Sequence, residues 1–172
     1  ITGGAGFIGS HLAEPHLDMG DEVSIIDNLS TGMMSNVHHL ETNPRFGCVI
    51  DDVLNLEVMQ ELVSGCDLIY HLAAAVGVNF IIDNPLLSLT TNIRGTEIVL
   101  ELANENNKKV VLASTSEIYG KKNGYVPFKE DSDRILGPTT VIRWSYSTSK
   151  AVDELFALAY WREKRLPCVI VR

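Results

Sequence analysis

The sequence lacks the features that would place it in several specialised classes of protein. Its three cysteines, Cys48, Cys66 and Cys168, lie far apart without a CxxC pair, so neither a disulfide framework nor a metal site is indicated. The longest apolar run, 68–78, contains His71 and is too short to span a bilayer. Only 14 basic residues accompany 22 acidic ones, a net charge of −8, which argues against a nucleic-acid or membrane surface. We therefore expect a cytoplasmic protein.

The remaining composition is that of an ordinary globular chain. It has 172 residues, of which 45% are hydrophobic and 21% charged, enough for one domain with a buried core. The opening residues 1–4 resemble the end of a strand entering a glycine turn, and the closing residues 169–172 resemble a strand with nothing after it. We expect a fragment that lacks the start of its first strand and a C-terminal region.

Short β-branched apolar runs alternate with helical patterns along the whole chain. The patterns predict strands at 22–27, 45–51, 66–72, 109–114 and 167–172, and helices at 7–19, 55–63, 85–104 and 144–163. Such alternation is typical of an α/β domain with a parallel sheet and right-handed crossovers. Residues 1–172 are expected to form one doubly wound sheet with helices on both faces.

Three local patterns refine this expectation. Apolar faces are predicted at Leu86, Leu89, Ile93, Ile98 and Leu102 in the third helix, and at Val152, Leu155, Phe156 and Ala159 in the fourth. Pro15 lies inside the first helix and should kink or shorten it. Residues 120–141 form a long irregular segment, which in a doubly wound sheet would lie over the carboxyl ends of the strands.

A glycine-rich turn opens the first helix. Gly3, Gly6 and Gly9 are spaced by three, so backbone N–H groups and the helix N-terminus can approach a pyrophosphate. Asp27 ends the next strand, 18 residues after Gly9, where a carboxylate can bind a ribose diol and repel a 2′-phosphate. The pair predicts a Rossmann-type site for NAD rather than NADP; the alternative is an ordinary turn followed by a solvated acid.

Two further motifs carry groups that can move protons. Tyr146 and Lys150 share one face of the last helix, where the cation would lower the pKa of the phenol and suit it to general-base work. Residues 114–120 follow a predicted strand, so their hydroxyls and the Glu117 carboxylate could contact a substrate oxygen. The alternatives are a chance YxxxK spacing and a polar strand exit.

As a set, four motifs resemble the extended short-chain dehydrogenase/reductase family, the NAD-dependent nucleotide-sugar epimerases, dehydratases and decarboxylases. They are TGGAGFIG at 2–9, HLAA at 71–74, STSEIYG at 114–120 and YSTSK at 146–150, and they fall in the family's order. The resemblance covers the whole chain and implies an NAD cofactor.

The resemblance also implies roles for individual residues. Cofactor contacts would come from Gly3, Gly6, Phe7, Ile8 and Gly9 at the pyrophosphate, Asp27 and Asn28 at the adenosine ribose, Asp52 and Val53 at the adenine, and Leu72, Ala73 and Ala74 at the nicotinamide. Lys150 would bond the nicotinamide ribose and tune Tyr146, which would take the proton of the sugar C4 hydroxyl while NAD accepts the C4 hydride. Thr115 would hydrogen-bond the same oxygen.

The subtype depends on the residues after Thr115. Dehydratases of this family carry Asp-Glu there, whereas this chain has Ser116-Glu117. That triplet and the stretch 137–150 resemble the UDP-glucuronate decarboxylases, in which Glu117 would assist decarboxylation or reprotonation. The alternatives are a UDP-hexose 4-epimerase, then a 4,6-dehydratase, and a non-enzymatic NAD-binding regulatory module.

The resemblance further implies the partners of the protein. The substrate would be a UDP-sugar, bound mostly by a small C-terminal region that follows residue 172 in family members. A homodimer is expected through the helices at 85–104 and 144–163, whose apolar residues could bury more than one side.

Overall fold

The computed structural model describes residues 1–121 and 127–172, and strands and helices alternate along them. The strands are β1 (Val23–Asp27), β2 (Phe46–Ile50), β3 (Leu68–His71), β4 (Lys109–Ala113) and β5 (Cys168–Val171). The α-helices are α1 (Phe7–Met19), α2 (Leu56–Ser64), α3 (Val78–Asp83), α4 (Pro85–Glu105) and α5 (Trp144–Lys164). Every predicted element is present with its ends shifted by at most two residues. Helix α3, a short element, is an addition to the prediction.

The strands form a parallel sheet whose two halves meet at the start of the chain. Strand β1 pairs with β2, while β3 pairs with β4 and β4 with β5. Between the halves, Thr2 bridges Ile26 and His71, both in the parallel sense. The Ile1 carbonyl accepts from Ile26 N at 3.0 Å, and Thr2 N donates to the Tyr70 carbonyl at 2.9 Å. Residues 1–3 therefore occupy a central strand position, in agreement with the expected strand end.

Helices cover both faces of the sheet. The adjacent residues Ile25 and Ile26 of β1 point to opposite faces because side chains alternate along a strand. Ile25 packs in one cluster with Ala13 and Leu17 of α1. Ile26 packs in another with residues of α2, α4 and α5, including Met59. The doubly wound arrangement predicted from the sequence is confirmed.

Helix α1 continues through Pro15 to Met19, so the expected shortening is wrong. Pro15 is exposed, and so is His11, the residue whose carbonyl its missing N–H would have met, so the lost bond lies on the solvent side of the helix. Leu17 is buried against β1 and holds the last turn in place. Gly20, with a φ of 98°, then ends the helix in the left-handed conformation.

The predicted apolar faces of α4 and α5 are only partly buried. Ile98 and Leu102 are in the core as expected, but Leu86 is 78% exposed and Leu155 is 62% exposed. The buried side of α5 is instead small and polar: Ser147, Ser149, Lys150, Ala151, Asp153, Glu154 and Ala157. Side chains of this size let α4 and α5 approach closely, so the large apolar residues are left facing outward.

The predicted irregular segment at 120–141 is only partly described, since residues 122–126 lie outside the described residues. The described part, 127–141, forms neither helix nor strand. Its base is tied to the end of β4, because Ile135 N donates to the Tyr119 carbonyl at 3.0 Å and Lys121 N donates to the Ile135 carbonyl at 2.7 Å.

Candidate active site

The glycine turn before α1 leaves no room for side chains. Gly3 has a φ of 69°, and a Cβ there would lie 2.8 Å from the Ala73 nitrogen. A Cβ on Gly9 would lie 2.4 Å from the Gly3 carbonyl oxygen. Helix α1 begins after Gly6 without a side-chain cap and without an acid in its first turn. Its N-terminal N–H groups and positive dipole end are therefore available to an anion.

A cavity of about 620 Å³ runs from this turn towards α5. Of the predicted cofactor contacts, every one except Lys150 lines it: Gly3, Gly6, Phe7, Ile8, Gly9, Asp27, Asn28, Asp52, Val53, Leu72, Ala73, Ala74 and Tyr146. Lys150 is buried behind the cavity wall. The glycine turn and the predicted general base thus belong to one cavity.

Asp27 lies at the end of β1, and its carboxylate accepts hydrogen bonds from the backbone of two loops beside the cavity. Its Oδ2 accepts a hydrogen bond from Ala5 N at 3.0 Å, and its Oδ1 accepts one from Leu29 N at 2.8 Å. A Cβ on Gly32 would lie 2.8 Å from both carboxylate oxygens, so that glycine allows the loop to pass close by. Each oxygen keeps a second lone pair, so the carboxylate can also accept from a ligand hydroxyl.

Asn28 and Asp52 form a second polar group beside Asp27. Asn28 Nδ2 donates to Asp52 Oδ2 at 2.8 Å, and Asp52 Oδ1 accepts from Leu54 N at 2.9 Å. These bonds fix the end of β1 to the loop after β2. They hold the two residues that the resemblance assigns to the ribose and the adenine side by side.

These features fit a dinucleotide. An anion-binding helix end, a carboxylate beside it and an extended cavity match the pyrophosphate, the ribose diol and the length of the ligand. The far wall is apolar, with Val76, Phe80 and Leu87 joining Leu72–Ala75. A flat aromatic ring bound at that end would meet a largely dry surface.

The residues predicted to act on the substrate meet between β4 and α5. Thr115 caps a 3₁₀ turn, Ser116–Tyr119, by accepting from Glu117 N at 3.2 Å. Ser147 Oγ donates to the Glu117 carbonyl at 2.8 Å and so fastens this turn to α5. Hydrogen bonding to Thr115 lowers the pKa of Tyr146, whereas the Glu117 charge raises it. Thr115 and Glu117 are therefore both close enough to Tyr146 to change its pKa.

The expected lowering of the Tyr146 pKa by Lys150 is wrong. Burial raises the pKa of Tyr146 above the usual value for a phenol, and the charges of Glu117 and Asp153 raise it further. The Lys150 ammonium lies 3.0 Å from Asp153 Oδ2, and both side chains are buried. Its charge is thus matched by Asp153.

Sequence reasoning missed a row of buried polar residues on α4. Asn92 Oδ1 accepts from Ala75 N in the cavity wall at 2.7 Å, and its Nδ2 donates to Ser149 Oγ of α5 at 3.1 Å. The signal was available, because Ser88, Asn92 and Thr96 recur every four residues and so share one face of the helix. Asn92 links the cavity wall to the helix that carries Tyr146.

The described residues hold neither a cluster of metal-ligating side chains nor a membrane-spanning helix. The His, Cys, Asp and Glu side chains of 1–121 and 127–172 do not gather in threes that could hold a metal ion. Within the same ranges, the helices are too short or too polar to cross a membrane.

The chain resembles known proteins over its whole length. A family model described as GDP-mannose 4,6 dehydratase matches residues 1–172. UDP-N-acetyl-alpha-D-glucosaminuronate decarboxylase of Bacillus cytotoxicus is 43% identical over 100% of this chain and 52% of its own length. UDP-glucuronic acid decarboxylase 1 of Arabidopsis thaliana is 37% identical over 94% of this chain and 36% of its own length.

A solved structure shares the fold. UDP-glucuronic acid 4-epimerase from Bacillus cereus, in complex with UDP-glucuronic acid and NAD, superposes with a TM-score of 0.87 at 32% identity. The match covers 99% of this chain and 54% of that one. The chain thus spans about half the length, or less, of the known proteins it matches.

Proposed function

Because the chain belongs to the GDP-mannose 4,6-dehydratase family of NAD-dependent epimerases and dehydratases, we propose that it supplies the NAD site and the catalytic residues of a UDP-hexuronate decarboxylase. The observation that carries the proposal is the single cavity that joins the glycine turn to Tyr146. Residues 1–172 would form the cofactor-binding domain. The free thiols of Cys48, Cys66 and Cys168 suit a cytoplasmic location, which we propose as well.

The glycine turn, Asp27 and the apolar wall would hold the cofactor. The uncapped start of α1 would bind the pyrophosphate, and Asp27 would accept hydrogen bonds from the adenosine ribose while repelling a 2′-phosphate. NAD, when bound, supplies an acceptor for the hydride of the sugar C4. Lys150 lies outside the cavity lining, so it would bond the nicotinamide ribose only if its ammonium turned from Asp153 towards the cavity.

Tyr146 would act as the general base. Its phenolate would take the proton of the sugar C4 hydroxyl, and the Thr115 hydroxyl, which hydrogen-bonds the phenol, would also contact that oxygen. The raised pKa of Tyr146 makes its phenolate a strong base but a scarce one at neutral pH. A cation close to the phenol would increase that fraction.

Glu117 would act after C4 has become a ketone. A carboxylate at C6 is then β to the ketone, so the C5–C6 bond can break, CO₂ leaves, and the electron pair moves to an enolate across C4 and C5. C5 must then gain a proton. Glu117 is exposed and close enough to raise the pKa of Tyr146, which suits it to deliver that proton from the solvent side.

The decarboxylase reading is supported by the relatives named above, which are described as acting on UDP-linked hexuronates. Two substrates follow, UDP-glucuronate and its 2-acetamido counterpart. A 4-epimerase is the second candidate, because the Bacillus cereus epimerase shares both the fold and a hexuronate substrate. A 4,6-dehydratase is disfavoured by Ser116, which offers no carboxylate.

We also propose a homodimer built on the outward faces of α4 and α5. The two helices pack against each other, as the Asn92–Ser149 bond shows. On these two helices Leu86 and Leu155 are exposed, whereas Leu158 and Trp161 line a groove beside β4 and β5. A second copy of the chain would cover this apolar surface.

Glu117→Gln in the full-length protein separates the two leading reactions. With UDP-glucuronate and NAD, loss of the carboxylate should slow formation of the C5-protonated pentose product about 100-fold or more, since proton transfer by a placed side chain contributes that much. An epimerase should keep its rate, because inversion at C4 needs no acid at this position. Glu163→Gln, an exposed acid at the end of α5, is the matched control and should leave the rate unchanged. Formation of UDP-galacturonate with an unchanged rate would replace the proposal with the epimerase.

A further inference from the structure

A buried polar chain connects the glycine turn to Lys150. Thr2 Oγ1 lies 2.8 Å from Nδ1 of His71, and His71 Nε2 lies 3.1 Å from Thr96 Oγ1. Burial raises the pKa of Asp153, and the Thr96 hydroxyl opposes that shift. Asp153 carries the carboxylate that lies 3.0 Å from the Lys150 ammonium. All five side chains are buried.

Donor and acceptor rules give this chain a direction. The Thr2 hydroxyl oxygen accepts from Leu72 N at 3.2 Å and from Ala73 N at 3.1 Å, so its own hydrogen goes to His71 Nδ1. His71 therefore carries its proton on Nε2 and donates it to Thr96.

Asp153 is the least satisfied member of the chain. Neither of its carboxylate oxygens makes a hydrogen bond of normal geometry within the described residues, although both are buried. Its nearest opposite charge is the Lys150 ammonium. The carboxylate and the ammonium therefore depend on each other, because an unpaired buried charge is costly.

The charged groups around Tyr146 and Asp153 can be named. Glu117, on the turn after β4, and Asp153 both raise the pKa of Tyr146. Asp153 itself is influenced by Lys150 and by Glu154. His71 of β3 is neutral in the working range, because burial and the Lys150 charge lower its pKa to about 3.

We propose that Asp153 is a positioning residue for the Tyr146–Lys150 pair: its buried carboxylate, 3.0 Å from the Lys150 ammonium, holds that cation in the buried polar chain and away from the phenol. The inference rests on the proposed function only in one respect, namely that Tyr146 and Lys150 take part in catalysis. Removing the negative charge releases the Lys150 cation and removes a repulsion, and both changes favour the phenolate.

The test is a titration of Tyr146 in the Asp153→Asn variant. The chain has five tyrosines, so 3-fluorotyrosine labelling gives five ¹⁹F signals, and Tyr146→Phe identifies the one that matters. The more acidic fluorophenol brings the titration to a milder pH. In Asp153→Asn the midpoint of the Tyr146 signal should fall by about one pH unit, the size expected when a charge is removed inside a protein. An unchanged or higher midpoint overturns the proposal.

Two variants on the same helix control the result. Glu154→Gln removes the neighbouring acid, which pairs with Arg172 at 2.6 Å, and should leave the midpoint in place. Asp153→Glu keeps the charge and should restore it towards the unsubstituted value. If Asp153→Asn does not fold, Asp153→Ser, which is neutral and can accept from Lys150, gives the same prediction and the same contradicting outcome.

The titration separates this inference from the proposed function. It uses no substrate, so a shifted midpoint in a protein inactive on nucleotide sugars supports the positioning role and contradicts the enzyme. In an active full-length protein, the acid limb of kcat should move to lower pH together with the ¹⁹F midpoint. If neither the acid limb of kcat nor the ¹⁹F midpoint moves in an active protein, the positioning role is contradicted while the proposed function stands.

Discussion

Gly9 stands where a side chain would collide with the backbone of the preceding turn. A Cβ there would lie 2.4 Å from the Gly3 carbonyl oxygen and 2.7 Å from Gly4 Cα, and neither atom belongs to a flexible side chain. The turn and the start of α1 must therefore move if Gly9 is replaced. The N–H groups that we propose to bind the pyrophosphate would move with them.

Gly9→Ala should therefore weaken NAD binding more than about tenfold and destabilise the chain by about 1–3 kcal/mol, as overpacking does. Calorimetric titration with NAD and urea unfolding measure the two effects. Gly65→Ala is the matched control, because a Cβ there would be 3.7 Å from the nearest atom, the Glu61 carbonyl oxygen. Equal NAD affinity in both variants would contradict the role of the turn.

Site residues that belong to a short motif with fixed spacing could be predicted from the sequence. Residues whose role depends on a partner far away in the sequence could not. Gly3, Gly9 and Asp27 sit at fixed offsets in one strand–turn–helix unit, so spacing alone locates them. Asn92 of α4 acquires its partner, Ser149 of α5, only when the two helices pack together. Spacing along one helix could not reveal a contact between two.

At the scale of elements, α4 and α5 show why apolar periodicity alone does not predict which helix face is buried. The stripe around Leu155 predicts a face against the sheet, yet Ala157 is fully buried and Leu155 is exposed. Small side chains let the helices approach, and a buried polar pair, Asn92–Ser149, joins them. The larger apolar residues are then available to a partner.

Leu155→Glu tests the homodimer at this surface. A charge in place of a buried Leu should weaken the dimer by about 10- to 100-fold in dissociation constant, because burial of such a side chain contributes about 1.5–3 kcal/mol. Sedimentation equilibrium measures the change. Leu56→Glu on α2 replaces a similarly exposed Leu elsewhere and should leave the association unchanged. A chain that is monomeric before substitution would contradict the proposed interface.

At the scale of the molecule, the sheet depends on a strand position filled by three residues. Thr2 joins the β1 and β3 halves through the backbone, and through its hydroxyl it joins His71 and the cavity wall at Leu72. The alternation of strands and helices made the doubly wound fold predictable. The cavity's lining at Phe80 was not, because α3 is too short for a periodic signal.

Burial of His71 should make the whole molecule sensitive to acid. Its pKa is lowered from 6.5 to about 3, so the unfolded chain binds a proton that the folded chain does not. Stability should fall as the pH drops below 6.5, by about 3 kcal/mol at pH 4.5. Urea unfolding at several pH values measures this loss.

His71→Gln provides the comparison that isolates this effect. Burial raises the pKa of Asp153, which makes stability rise as the pH falls and so opposes the histidine. Both proteins retain Asp153, so its contribution cancels when the free energy of unfolding of one is subtracted from that of the other at each pH. If the free energy of unfolding falls equally with decreasing pH in the unsubstituted protein and in His71→Gln, His71 does not set the acid sensitivity.

The most direct test of the account uses UDP-glucuronate labelled with ¹³C at C6. The full-length protein is incubated with this substrate and NAD, and the label is followed by ¹³C NMR, with UDP-2-acetamidoglucuronate as a second substrate. The account predicts that the C6 carboxylate signal is replaced by those of CO₂ and bicarbonate while a pentose or 4-ketopentose nucleotide forms. A label that stays in a sugar carboxylate with both substrates, whether as UDP-galacturonate or as unchanged starting material, would contradict it.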